Sequence, residues 1–324
     1  MPATHLSSSP TTEQARHAPA PAIRPGLVPT AVTALVVFGP LVGTAVAAVM
    51  LFRGEATVAN LAVGALLYAV TGHGLTAGYH RMFTHRAFRA GRVTKIALAV
   101  AGSLAFEGGV LGWATNHRLH HAYTDVQGDP HSPHLSGSSV ANQLRGALHA
   151  HVGWLFAPPA QDQDRWVPDL RSDRDLVRID RLFPLWCLVS LAIPTGIGFA
   201  MTGTAGGAVG GLVWGGLVRV FLLQQATFAV NSACHLWGKR PFATRTDDQA
   251  RNLAFLAVLA MGDNWHNLHH SLPRLARHGV GRREWDSTAR LIRLLERAGL
   301  VTDVRWPDPT VLDARRRVAE AAGS

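Results

Sequence analysis

Four long apolar runs divide the chain, at about residues 27–51, 56–80, 182–201 and 208–236. Each matches the roughly twenty apolar residues that a helix needs to cross the hydrocarbon of a bilayer. Only Phe52-Arg53-Gly54-Glu55 separates the first two, and a Gly-rich turn separates the last two. The pattern therefore predicts two helical hairpins, each returning the chain to the side on which it began. A shorter apolar stretch, Gly91 to Trp113, is interrupted by Lys95, Glu107 and several glycines. It reads as buried or interfacial, because a crossing there would put the histidines on either side of it across the membrane from one another. His117 to Asp180 is rich in Pro, Gly, Asp and Arg and predicts a water-facing segment, whereas Trp285 to Leu295 has helical apolar spacing with Arg on its other face. That stretch predicts a helix packed on the polar domain or lying on the membrane. Residues 1–25 carry no apolar period and no signal-peptide pattern and read as a tail. Residues 26–310 then form one membrane domain and 311–324 a C-terminal tail. The fold class expected is an all-α integral membrane protein, with four transmembrane helices under a cytosolic helical cap.

Composition supports this reading and adds an orientation. Of the 324 residues 48% are hydrophobic and 16% charged, a balance unusual for a water-soluble chain. Lys and Arg number 31 against 21 Asp and Glu. The basic residues cluster in Arg81–Arg181 and from Lys239 onward, whereas the two short turns hold only Arg53. By the positive-inside rule both polar regions face the cytoplasm, and the protein resides in the cell membrane. A basic balance of this kind is accounted for by lipid or an anionic substrate, and no nucleic-acid partner is expected. Arg219 lies within the fourth run, where it must snorkel or face protein. Cys187 and Cys234 both sit in apolar segments, so neither a disulfide framework nor a thiolate cluster is expected.

Histidine changes the picture most. The box Asn116-His117-Arg118-Leu119-His120-His121 puts three imidazoles on one helical face, since residues three and four apart are neighbours. His266-Asn267-Leu268-His269-His270 repeats the pattern, His80 and His85 end the second apolar run, and His235 ends the fourth. A lone histidine is usually a surface or interface residue. Two such boxes, together with outliers on the same side of the membrane, point to a shared metal centre. Nine imidazoles exceed the needs of one ion and suit two with four or five each. On a regular helix His80 and His85 stand about 140° apart, so they serve different ions or the helix ends between them. Asn231, four residues before His235, shares its face. Imidazole alone does not select the metal. A polyhistidine centre beside the lipid core is placed to act on hydrocarbon, and breaking an unactivated C–H bond calls for oxygen and a redox metal, which favours iron.

The segment Gly78 to Arg86, the box His117 to His121, the run Gly128-Asp129-Pro130-His131, the stretch His151-Val152-Gly153-Trp154, Asn231 to His235, and His266 to His270 together resemble the membrane acyl-CoA desaturases of the stearoyl-CoA type. The likeness runs from about Leu27 to Trp306. It implies two iron ions (Fe2+/Fe3+) held by His80, His85, His117, His120, His121, His235, His266, His269 and His270, with Asn231 holding iron through water. It also implies a bent tunnel for the acyl chain shaped at Trp113 and Thr227, O2 as co-substrate, and a cis double bond at delta-9. No catalytic residue beyond the ligands is expected. His73, His131, His134, His149 and His151 read as supporting residues, and His5, His17 and His278 carry no signal.

Thr115, Asn116, Pro158 and Pro159 stand where animal members of the family carry charged contacts to coenzyme A. The carrier therefore stays open among coenzyme A, acyl carrier protein and a membrane lipid. Arg118, Arg86 and Arg89 are the candidate contacts to its anionic groups, or to lipid phosphates. With no haem segment and no strand-linked G-x-G-x-x-G, electrons are expected from a separate ferredoxin or flavin reductase. A hydroxylase or ketolase on the same core is the nearest alternative. A metal transporter would place its ligands near the bilayer midplane rather than at helix ends.

Overall fold

The computed structural model describes residues 26–158 and 162–323. The N-terminal tail, with His5 and His17, and Pro159 lie outside the described residues. In chain order, α1 (Leu27–Phe52) and α2 (Val58–Thr84) form the first hairpin. The strand β1 (Arg89–Ala90), α3 (Arg92–Ser103), α4 (Val110–Tyr123), α5 (Val140–His151) and α6 (Arg174–Arg181) follow. The second hairpin is α7 (Phe183–Thr202) and α8 (Ala205–Leu236). Last come α9 (His266–Ser271), α10 (Ser287–Arg297), β2 (Val301–Thr302) and α11 (Pro309–Gly323). Among the described residues, helices α1, α2, α7 and α8 are the four long and apolar enough to cross a bilayer. The 12 residues of α3 reach only about 18 Å at 1.5 Å per residue, too short to cross.

The hairpin turns follow from local chemistry. Thr57 accepts a hydrogen bond from the Asn60 amide at 3.2 Å and caps α2. At the second turn Gly203 takes φ +68° to end α7, and Thr204 accepts from the Gly207 amide at 3.1 Å to start α8.

Both α2 and α8 widen into π-helical segments, Gly74–Thr84 and Gly211–Val218, and both segments begin at a glycine in a tight crossing. A Cβ on Gly74 would lie 2.3 Å from the Ala101 carbonyl carbon of α3, and one on Gly211 would lie 2.0 Å from the Pro194 oxygen of α7. In α2 the π turn has a consequence for the histidines. The His85 amide donates to the His80 carbonyl, five residues back, at 3.2 Å, and α2 ends at Thr84 between them. A π turn brings residues five apart onto one side, and the two rings come to 5.0 Å. They therefore reach one spot and do not diverge as on an α-helix.

Arg219 faces protein. It is 2% exposed and donates to the Leu104 oxygen at 2.9 Å and to the Ser190 oxygen and Oγ at 3.1 and 2.7 Å. These bonds tie α8 to α7 and to the loop between α3 and α4. The C-terminal stretch 311–324, set off as a tail by its sequence, is instead largely helix α11. Leu312 packs with Phe242 and Leu268, and the Ala243 amide donates to the Arg315 oxygen.

Arg219→Met keeps the volume but strands the Leu104 and Ser190 acceptors. Hydrogen bonds to a charged donor contribute about 1.5–3 kcal/mol each, so a fall in apparent Tm of several degrees in detergent is expected. An unchanged melting profile would refute the clamp.

Candidate metal centre

The box helix α4 is anchored at both ends. At its start the Leu111 amide donates to Asp180 of α6 at 2.9 Å. In its second half Arg118 donates to the Phe83 and Thr84 oxygens at 2.7 and 3.1 Å and pairs with Asp169 at 2.7 Å. α4 is thereby fixed against the end of α2, and His117 is brought to His80 and His85. Helix α9 adds His266, His269 and His270, all buried, and α8 adds His235.

All nine histidines named from the sequence come together. His80, His85, His117 and His269 converge in one group, and His120, His235, His266 and His270 in a second. His121 lies with His269 and His270. The Nε2 atoms face one another: His80 to His269 at 3.0 Å, His121 to His269 at 2.8 Å, His121 to His117 at 3.2 Å, His120 to His270 at 3.3 Å and His266 to His235 at 3.0 Å. Burial, reinforced by repulsion among neighbouring histidines, holds His85, His117, His121, His266, His269 and His270 well below the usual imidazole pKa. Their rings are neutral at pH 7, the form that binds a metal.

The nitrogen atoms remote from the centre identify its second layer. His80 Nδ1 donates to Asp263 at 2.8 Å, His120 to Asp129 at 3.0 Å, His235 to Asp125 at 2.8 Å and His270 to Asp248 at 2.9 Å. A proton committed to a carboxylate at Nδ1 leaves a lone pair at Nε2, so these Nε2 atoms turn lone pairs toward their neighbours. The buried Nε2 of His85 has no hydrogen-bond partner either. Cations resolve this arrangement. Imidazole nitrogens about 2.1 Å from an ion stand about 3 Å from one another, the spacing seen. The residues therefore fit two metal ions.

Three features of the centre were not legible in the sequence. The four aspartates lie outside the histidine boxes and reach their partners through the fold. Their one local signal is Asp129 in the Gly-Asp-Pro-His run. His278, which carries no pattern, is buried 4.6 Å, ring to ring, from His269 and 3.5 Å from Asp263. Arg81, 0% exposed, bridges Asp263 and Asp286 at 3.0 Å each. The supporting histidines bond to backbone or polar side chains: His134 to the His235 oxygen, His149 to the Pro130 oxygen, His151 to Ser232 and Gln225, and His73 to the Ala69 oxygen and Ser287. His131 packs its ring 4.3 Å from His120.

A cavity of about 400 Å³ runs up to the centre. Its lining includes Trp113, Asn116, His117, Thr227 and Asn231, and a narrower extension shares Trp113, His117, Thr227 and Asn231 while reaching His80 and His266. Trp113 and Thr227 line both spaces. The three arginines named as anion contacts lie elsewhere. Arg118 is committed to Asp169 and to backbone oxygens. Arg86 pairs with Asp169 and Arg89 with Asp303 in a separate polar depression that shares no lining residue with the cavity. Glu107 lines the cavity with its Oε1 buried and unpartnered, and burial raises its carboxyl to about 8.

Two outcomes test this description. Asp129→Ala should weaken metal binding about 10–100-fold, the usual cost of losing such a partner, with helicity by circular dichroism unchanged; unaltered affinity in a metal titration would contradict the role. For Glu107 the folded pKa lies above the unfolded value, so its protonated form is favoured in the fold. That contribution is complete below about pH 4.5 and is lost as pH rises to about 8. Glu107→Gln should therefore gain stability over the parent as pH rises through this window, by a few kcal/mol at about 1.4 per pKa unit. A constant gap in apparent Tm would argue against a buried neutral acid.

Residues 56–287 match the family model described as fatty acid desaturase. Over 281 residues the chain is 36% identical to a hex-5-enoyl-acyl-carrier-protein acetylenase of Moorena producens, covering 86% of each chain. It is 32% identical over 253 residues to an sn-1 stearoyl-lipid 9-desaturase of Anabaena variabilis, covering 77% of this chain and 85% of the relative. A probable acyl-CoA desaturase of Schizosaccharomyces pombe is 35% identical over 250 residues, covering 75% of this chain and 48% of the relative.

Proposed function

Because the chain belongs to the fatty acid desaturase family, oxidoreductases that act on acyl chains with oxygen, we propose that it forms a cis double bond, at delta-9, in a saturated acyl chain. One observation carries this reading. The apolar cavity passes both facing histidine groups, touching His117 at its main body and His80 and His266 in its extension, so a chain laid in it runs along the metal centre. Two hydrogens leave adjacent carbons. With one O2, two electrons and two further protons, they give two waters and the double bond.

The nine histidines would hold two iron ions, with Asn231 contributing through a water, and bound iron would supply the oxygen chemistry. The chain's own residues do the rest. Trp113 and Thr227 set the bend that presents one pair of carbons, and the apolar wall excludes water from the reacting bond. Asp125, Asp129, Asp248 and Asp263 fix the ring orientations of four ligands. The electrons come from a separate ferredoxin or flavin reductase, and the centre faces the cytoplasm. The relative named as an acetylenase favours one further reading, removal of two hydrogens from a bond already unsaturated.

Metal analysis of anaerobically purified protein should find two irons per chain, and mass spectrometry of the lipids of an expressing host should find a new monoene. His120→Ala and His269→Ala should abolish product, whereas His134→Ala, at a backbone carbonyl, should keep most of it. One zinc and no iron in active protein would overturn the iron assignment. An alkyne or a hydroxylated product would replace the desaturation.

A further inference from the structure

The route into the cavity identifies how the acyl chain is carried. Its lining includes Pro29, Thr30, Val32, Thr33, Val36 and Val37, all from the first three turns of α1. Pro29 and Val32 also belong to the exposed apolar surface of that helix, beside Val28 at 75% and Leu35 at 72% exposure. A helix of this length and hydropathy turns such a surface to lipid. The cavity is therefore walled by a helix whose outer surface is built for the bilayer. The opposite lip is the turn Gly153–Phe156, seated on α1 by Phe38 and Phe156 with ring centroids 6.1 Å apart.

The lip carries a donor with nothing to donate to. Trp154 lines the cavity, and its buried indole Nε1–H has no hydrogen-bond partner. A tryptophan N–H is suited to the carbonyl of an acyl ester. Charge points the same way. Among the described residues no Lys or Arg lines this cavity. Arg86, Arg89, Lys95, Arg274 and Arg305 line the separate depression. Coenzyme A and the phosphopantetheine of an acyl carrier protein bring phosphates that need cations beside the mouth. A glycerolipid keeps its phosphate in the headgroup layer and needs only an apolar opening at the depth of its ester.

We propose that the substrate is an acyl chain still esterified in a membrane glycerolipid, which swings sideways into the cavity between α1 and the Gly153–Phe156 turn, its ester carbonyl accepting from Trp154 Nε1–H. This rests on the desaturase reading and goes beyond it by naming the carrier and its path.

The test uses the full chain in vesicles of phosphatidylethanolamine and phosphatidylglycerol carrying a trace of phosphatidylglycerol with a photoactivatable stearoyl chain. Labelling needs no turnover. Peptides spanning 29–37 and 153–156 should be labelled above those of α7, and an excess of stearoyl-coenzyme A or stearoyl-acyl carrier protein should not reduce it. Val32→Trp should cut this labelling at least fivefold, while Trp154→Phe should raise the apparent KM for lipid several-fold with kcat nearly kept. Uniform labelling of all four spans, or its loss to a soluble thioester, would overturn the proposal. So would turnover of stearoyl-coenzyme A or stearoyl-acyl carrier protein by iron-loaded, reduced protein with the vesicle lipid unchanged. Selective labelling without turnover of any of the three would sustain the lipid path and sink the desaturase reading instead.

Discussion

Ring nitrogens that face one another at 2.8–3.3 Å across a buried space impose the constraint on which this structure depends. Facing lone pairs repel, and protonation would add charge where burial already opposes it. Two devices make the arrangement tenable. The first is the cation pair that the geometry fits. The second is the set of four aspartates, each accepting from the outer nitrogen of a histidine, so that the ring orientations are set by the protein itself. Arg81, itself fully buried, in turn compensates Asp263 and Asp286. Carboxylates outside the imidazoles fix four of the rings, and the fold brings these aspartates from the turns and loops between the helices.

The helix packing delivers the histidines. Four spans bring His80 and His235 to one end of the bundle, since each sits in the last turn or two of a returning helix. The box helix α4 is held by Arg118 to the end of α2 and by Asp180 to α6, so its face is aimed by contacts 34 to 69 residues away in sequence. The strands β1 and β2 pair Arg89 with Thr302 and Ala90 with Val301, fastening the chain beyond α10 to the residues just after the first histidines. The centre borders a cavity walled by the first turns of α1, by α4 and the residues just before it, by the Gly153–Phe156 turn and by the end of α8. Most of that lining is apolar, which suits a hydrocarbon occupant.

The order of spans, the turns between them and the two histidine boxes were legible in the sequence because each depends on residues near one another in the chain. Run length fixes whether a helix crosses, and the 3-4 spacing of imidazoles fixes that they share a face. The resemblance built on those same boxes reached the family that comparison with known proteins also shows. Other features were decided only by the tertiary structure. His85 joins His80 through a π turn that α-helical arithmetic does not foresee, a turn set where Gly74 meets α3. Asp129 apart, the aspartates, His278 and Arg81 serve the centre across up to 205 residues of sequence, so no local pattern marks them. The segment after residue 310 becomes helical because Leu312 finds Phe242 and Leu268. Arg86, Arg89 and Arg118 carry the charge expected of anion contacts, yet side-chain charge does not say which carboxylate an arginine will meet. Asp169 and Asp303 meet them away from the cavity, and that pairing is a property of the fold alone.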